Sequence, residues 1–155
     1  MSQPGADPHD LRRFVDAQAP VIAAVQAELD AGAKTSHWMW FVFPQLAALG
    51  RSSTAKHYGL SGAAAARAYL AHPLLGERLA DCSERVLHAA ARGRTAVQIF
   101  GSIDAMKLRS SMTLFEAVAP QQPVGVSVYA RVIDALYAGE RDALTLSLLA
   151  AEGSP

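Results

Sequence analysis

Apolar residues in this chain recur at three- and four-residue intervals rather than in alternation, a pattern that predicts helices and argues against a sheet. Leu11, Phe14 and Val15, continuing to Gln18, form the first stripe. Asp7 is placed to cap that helix, with Pro8 at its first position and Asp10 near its positive end. Pro20 lacks an N–H and must break or restart the helix. A second helix, over about residues 20–31, carries Val21, Ile22, Val25 and Leu29 on one face and stops at Gly32. The run from Ser36 to Gln45 is almost wholly apolar and too short to assign by period; an irregular segment with one helical turn is the preferred reading, a short strand the alternative.

Residues 52–58 predict a loop and a short helix. Ser61 can cap an alanine-rich helix over residues 62–71, and Pro73 opens the next, which carries Leu74, Leu75, Leu79, Cys82, Val86 and Leu87 to an end near Arg92-Gly93. Residues 95–100 form a turn-like element closed by Gly101. Ser102 then caps a helix that runs to about Val118 and stops at Pro120. Residues 121–125 form a linker, and two last helices, about 126–138 and 141–151, are parted by Gly139. Seven to nine helices with short connections make an all-α, bundle-like fold. The 155 residues fit one compact domain, 1–155, with flexible tails at 1–8 and 152–155.

Composition narrows the function classes. With 14 basic and 14 acidic residues the formal charge is zero, so no bulk field favours nucleic acid or anionic lipid. No run approaches the ~20 apolar residues that span a bilayer, and the first ten residues lack the apolar stretch of a signal peptide, so a cytoplasmic location is expected. Cys82 is the only cysteine, which excludes an internal disulfide, and its place on an apolar stripe reads as a core thiol. His9, His57, His72 and His88 have no zinc-type spacing with it, so neither metal nor cofactor is expected. Phosphate-loop and nucleophile-elbow motifs are absent.

Two segments hold more polar groups than a core needs. In the first, Ser36, His37, Trp38, Trp40, Phe43 and Gln45, with Ser52 further on, could stack on a planar ring and hydrogen-bond its edge. The plainer reading places the indoles in the core, with His37 and Gln45 serving buried backbone. In the second, Asp104, Lys107 and Ser111 share a helical stripe, with Ser110 and Thr113 beside it, a set suited to a phosphate or a ribose. Its plainer reading is an Asp104–Lys107 surface pair worth roughly 0.2–0.5 kcal/mol.

The long motifs Ser36-His37-Trp38-Met39-Trp40-Phe41-Val42-Phe43-Pro44-Gln45, Leu49-Gly50-Arg51-Ser52, Ala68-Tyr69-Leu70-Ala71-His72-Pro73 and Ser110-Ser111-Met112-Thr113-Leu114-Phe115, with Phe100-Gly101 and a terminal Gly139-Asp142-Thr145-Leu146 pattern, resemble the bacterial family called domain of unknown function 1810. The resemblance runs from about Leu11 to Leu149. The label calpastatin that some members carry does not suit an apolar, helix-rich chain, because a calpain inhibitor is a disordered polar repeat. The resemblance implies a Glu at the position of Ala65, two residues before Arg67; if that Glu is a general acid or base, this chain lacks it.

A more distant analogy links the layout to small helical proteins that cleave N-glycosidic bonds of ADP-ribose or riboflavin-pathway compounds. It implies a nucleotide-like ligand or an ADP-ribosylated substrate, metal-free hydrolysis, stacking by Trp38 and Trp40, and Asp104 orienting Lys107 or steadying an oxocarbenium charge. The alternative is a protein- or peptide-binding module without chemistry, its groove built from the aromatic block.

Overall fold

The computed structural model describes residues 6–120 and 127–153. Among them the chain forms nine α-helices and one 3-10 turn: α1 (Arg12–Gln18), α2 (Ile22–Ala31), α3 (Met39–Val42), the turn Ala47–Leu49, α4 (Ser53–His57), α5 (Ala63–Ala71), α6 (Leu75–Ala91), α7 (Ala96–Val118), α8 (Val128–Tyr137) and α9 (Ala143–Glu152). The fold is all-α, and the only extended pairing among the described residues is an isolated bridge between Leu46 and Leu60. The aromatic run therefore contains one helical turn and no strand. The linker expected at 121–125 and the outermost tail residues lie outside the described residues.

Helix α7 is the centre of the molecule. Its residues 111–115 are buried in unbroken succession, because α5, α8 and α9 enclose that half of the helix. Helix α6 shows the opposite pattern: Leu75, Leu79, Cys82, Val86 and Ala89 form one buried stripe against α2, α5 and α8, while Glu77 and His88 face water. Aromatic rings run through the core in two groups. Phe14, Tyr69, Phe115 and Tyr129 stack in sequence with centroids 5.2–6.0 Å apart, and Trp38, Phe43 and Phe100 form a second cluster at 6.0–6.4 Å.

Several helix ends differ from expectation. Asp7 does act as a cap, accepting from the backbone N–H groups of Leu11 and Arg12, but Asp10 adopts φ +48° and postpones the helix to Arg12, so Pro8 lies in a preceding turn. Ser61 does not cap α5. Glu152, at the end of α9, reaches across to the Ala63 N–H instead, at 3.0 Å. Helix α6 starts after Pro73, where His72 Nδ1 accepts from the N–H groups of Leu74 and Leu75. Residues 95–100 and the helix after them are joined into α7 across a break at Gly101, whose φ of +80° needs glycine.

Gly76 marks the tightest helix junction. A methyl group there would run into the Leu70 carbonyl oxygen, which is backbone and cannot swing away. Gly76→Ala should lose about 1–3 kcal/mol, seen as a melting temperature lower by roughly 3–10 °C.

Candidate functional site

The aromatic segment is held by two polar anchors. Gln18, buried in α1, donates from Nε2 to the Phe41 carbonyl (2.6 Å) and to the Tyr69 hydroxyl (3.0 Å), and its Oε1 accepts from Arg78. Glu28, in the last turns of α2, accepts four hydrogen bonds: the N–H groups of Thr35 (2.7 Å) and Ser36 (3.0 Å), the Ser36 hydroxyl (2.5 Å) and Trp38 Nε1 (3.0 Å). Burial works to raise the carboxyl's pKa, but those donors outweigh it and hold it down to about 2. Glu28 escaped the sequence reading, because an acidic residue on a helix gives no sign of the loop that will fold back onto it.

These anchors settle where the predicted aromatic residues sit. Trp38 is 1% exposed and packs against Phe43 and Phe100, with Lys34 Nζ 5.1 Å above its ring, so no ligand can reach its face without displacing the core. Phe43 is equally buried. His37 is exposed beside this cluster, and Ser36 is spent on Glu28. Trp40 is half-buried and borders a crevice of about 10 Å³ shared with Gln45, Ala55 and Lys107, room for one water at most.

The second segment forms a charge cluster with the loop before α3. Lys34, whose side chain is 7% exposed, pairs with Asp104 at 2.9 Å, and its backbone N–H donates to the Ile99 carbonyl at 2.7 Å. Lys107 stands 3.8 Å from the other oxygen of Asp104 and 5.4 Å over the Trp40 ring. Two cations thus share one carboxylate, and the shorter contact goes to the drier lysine. Asp104 therefore holds Lys34 closely and Lys107 loosely.

Lys107 borders a groove of about 540 Å³ between the 3-10 turn, α4, α7 and α9. Four predicted residues meet there: Gln45, Ser52, Lys107 and Ser110. The sequence reading had not singled out the chemistry of the others, Arg51, Asp142 and the apolar Leu49, Ile103, Met106 and Leu144. Ile103, Met106 and Leu144 are 70%, 66% and 56% exposed, so that three large apolar side chains open to water lie together in one groove. Ser52 caps α4 by accepting from the Ala55 N–H. Ser111 is fully buried, away from the groove, and its hydroxyl finds no partner. Ala65 lies on the inner face of α5, in the core and outside the groove. Cys82 is buried in α6, which pushes its thiol up to about 12. Among the described residues no three His, Cys, Asp or Glu side chains gather as a metal site, and no helix is long and apolar enough to cross a membrane.

Two predictions separate scaffold from site. Asp104→Ala strands the Lys34 ammonium and should lose about 2–4 kcal/mol, softened by the water that still reaches Asp104, whereas Lys107→Met should change stability by less than about 1 kcal/mol in chemical denaturation. Because the folded-state pKa of Glu28 lies below its ordinary 4.5, its stabilisation is complete above that pH and fades as the pH falls toward about 2. Acid melting of Glu28→Gln should therefore start from a lower stability at neutral pH and show a shallower loss through the same window.

The family model described as "Protein of unknown function (DUF1810)" matches residues 8–149. The crystal structure of the conserved hypothetical protein Rv1873 from Mycobacterium tuberculosis is similar throughout, with a TM-score of 0.84 and 47% identity over 93% of this chain and 99% of that one. Comparison with curated proteins gives no match. With nearly its whole length matched, the chain belongs to the DUF1810 family.

Proposed function

We propose that the groove between the 3-10 turn, α4, α7 and α9 binds a small anionic ligand of the nucleotide type. The observation that carries this reading is the unequal sharing of Asp104, which leaves the Lys107 ammonium only partly neutralised at the groove wall. Arg51, exposed in the loop before α4, adds a second cation to the lining. A phosphate or pyrophosphate is the natural complement of two such groups. The aliphatic side chains of Ile103, Met106 and Leu144 give a planar base an apolar surface, and Gln45 and Ser52 offer hydrogen bonds to its edge. Stacking in this arrangement falls to aliphatic groups, since the rings of Trp38 and Trp40 belong to the core and its margin.

Binding receives more support than hydrolysis of an N-glycosidic ADP-ribosyl linkage. Of the two positions named for catalysis, Ala65, where the general acid or base was expected, is a core methyl, and Asp104, expected to orient Lys107 or steady an oxocarbenium charge, is shared between two lysines. A protein- or peptide-binding role draws on the exposure of Ile103, Met106 and Leu144 rather than on the aromatic block.

A thermal-shift panel with ADP-ribose, AMP and NAD tests the proposal. A ligand at about a hundred times its dissociation constant adds roughly 2.7 kcal/mol, a rise of about 5–10 °C for a domain of this size. At least one compound should produce that rise in the native chain, and Lys107→Met should abolish the response while melting normally without ligand. A flat panel for the native chain would overturn the small-molecule reading and favour the peptide-binding one.

A further inference from the structure

Asp142 is the one carboxylate among the described residues lining the groove, and it is held more firmly than a helix cap requires. All of its described side-chain hydrogen bonds fall on a single oxygen. Oδ2 accepts from the Thr145 hydroxyl (2.5 Å), the Thr145 N–H (3.3 Å) and the Ser110 hydroxyl (3.0 Å). The first two are the ordinary cap of α9; the third comes from α7, one turn beyond Lys107, where the single proton of the Ser110 hydroxyl is shared between Asp142, at the shorter distance, and the Met106 carbonyl (3.3 Å). The backbone is fixed as well, since the Asp142 N–H donates to the Thr113 hydroxyl (3.0 Å), which in turn donates to the Arg109 carbonyl (2.8 Å). The carboxylate is thus clamped from two helices through Oδ2, and Oδ1 accepts none of the described bonds.

We infer that Asp142 Oδ1 is the specificity-determining acceptor of the groove, reading a hydroxyl pair on a ligand whose anionic end lies at Lys107 and Arg51. The inference rests on the nucleotide-type reading and refines it to ligands that carry a ribose between phosphate and base. A carboxylate oxygen repels a bare phosphate but takes hydrogen bonds from sugar hydroxyls, so it separates a ribosyl phosphate from an inorganic anion. Clamping Oδ2 fixes the direction of Oδ1 before the ligand arrives, which lowers the ordering cost of binding. Asp142 is assigned no part in bond cleavage.

The test compares calorimetric affinities of ADP-ribose and inorganic pyrophosphate for the native chain and for Asp142→Asn. Asparagine can keep the cap, its amide oxygen replacing Oδ2, but presents an NH2 donor where Oδ1 was an acceptor. ADP-ribose should bind Asp142→Asn roughly 10- to 100-fold more weakly, the range for a hydrogen bond to a charged group, with pyrophosphate binding unchanged or tighter. Equal weakening of both probes, or no weakening of ADP-ribose, would overturn the role of Asp142 and leave the anion-binding reading standing. Absence of both probes from the native chain would overturn the reading and the inference together. Should Asp142→Asn fail to fold, Ser110→Ala carries the test, because it removes the α7 clamp without touching Oδ1. ADP-ribose should then weaken several-fold and pyrophosphate stay unchanged; equal effects on the two would again overturn the inference.

Discussion

A lysine ammonium almost withdrawn from water must have a close counter-charge, and that requirement at Lys34 organises the side of the molecule where α7 meets the segment after α2. The pairing with Asp104 ties the segment after α2 to α7, and the backbone bond from Lys34 to Ile99 repeats the tie. Lys34 also covers the ring of Trp38, which closes the aromatic cluster with Phe43 and Phe100. Glu28 secures the same segment from the side of α2, so the loop between α2 and α3 is fixed by one anion and one cation of opposite origin. The consequence for the groove is indirect. Once Asp104 is drawn to Lys34, Lys107 on the next turn of α7 is left with a weak partner and an open groove.

The groove is amphipathic in a way that the core is not. Cations stand on two sides, from α7 and from the loop before α4, and a clamped carboxylate stands on α9. Between them lie aliphatic side chains that folding has left exposed, although several similar residues nearby are buried completely. The exposure of Ile103, Met106 and Leu144 among charged groups suits the proposed ligand, apolar in one part and anionic in another.

Much of the architecture was legible in the chain. Periodicity found the helices, and glycines and prolines found most of their ends, because those signals are local. The misplaced details were governed by distant groups: α5 is capped by Glu152 from the opposite end of the chain, and α1 is delayed by the left-handed turn at Asp10. At the site, Gln45, Ser52, Lys107 and Ser110 were named from sequence and do converge, whereas Ser36, Trp38, Phe43 and Ser111 belong to the scaffold. Residue type alone could not separate these groups, since an indole or a serine serves a core and a site equally well. Arg51 and Asp142 were visible as motif residues, but their chemistry depends on neighbours separated from them by scores of positions, which only the fold brings together.

Amide chemical-shift mapping of the isotope-labelled protein, titrated with ADP-ribose, tests the central claim most directly. The account predicts perturbations concentrated on residues 45–55, 103–110 and 142–144, the three stretches that border the groove. Perturbations centred instead on the cleft lined by Asp7, Arg12 and His72, or a spectrum unchanged at saturating ligand, would contradict it.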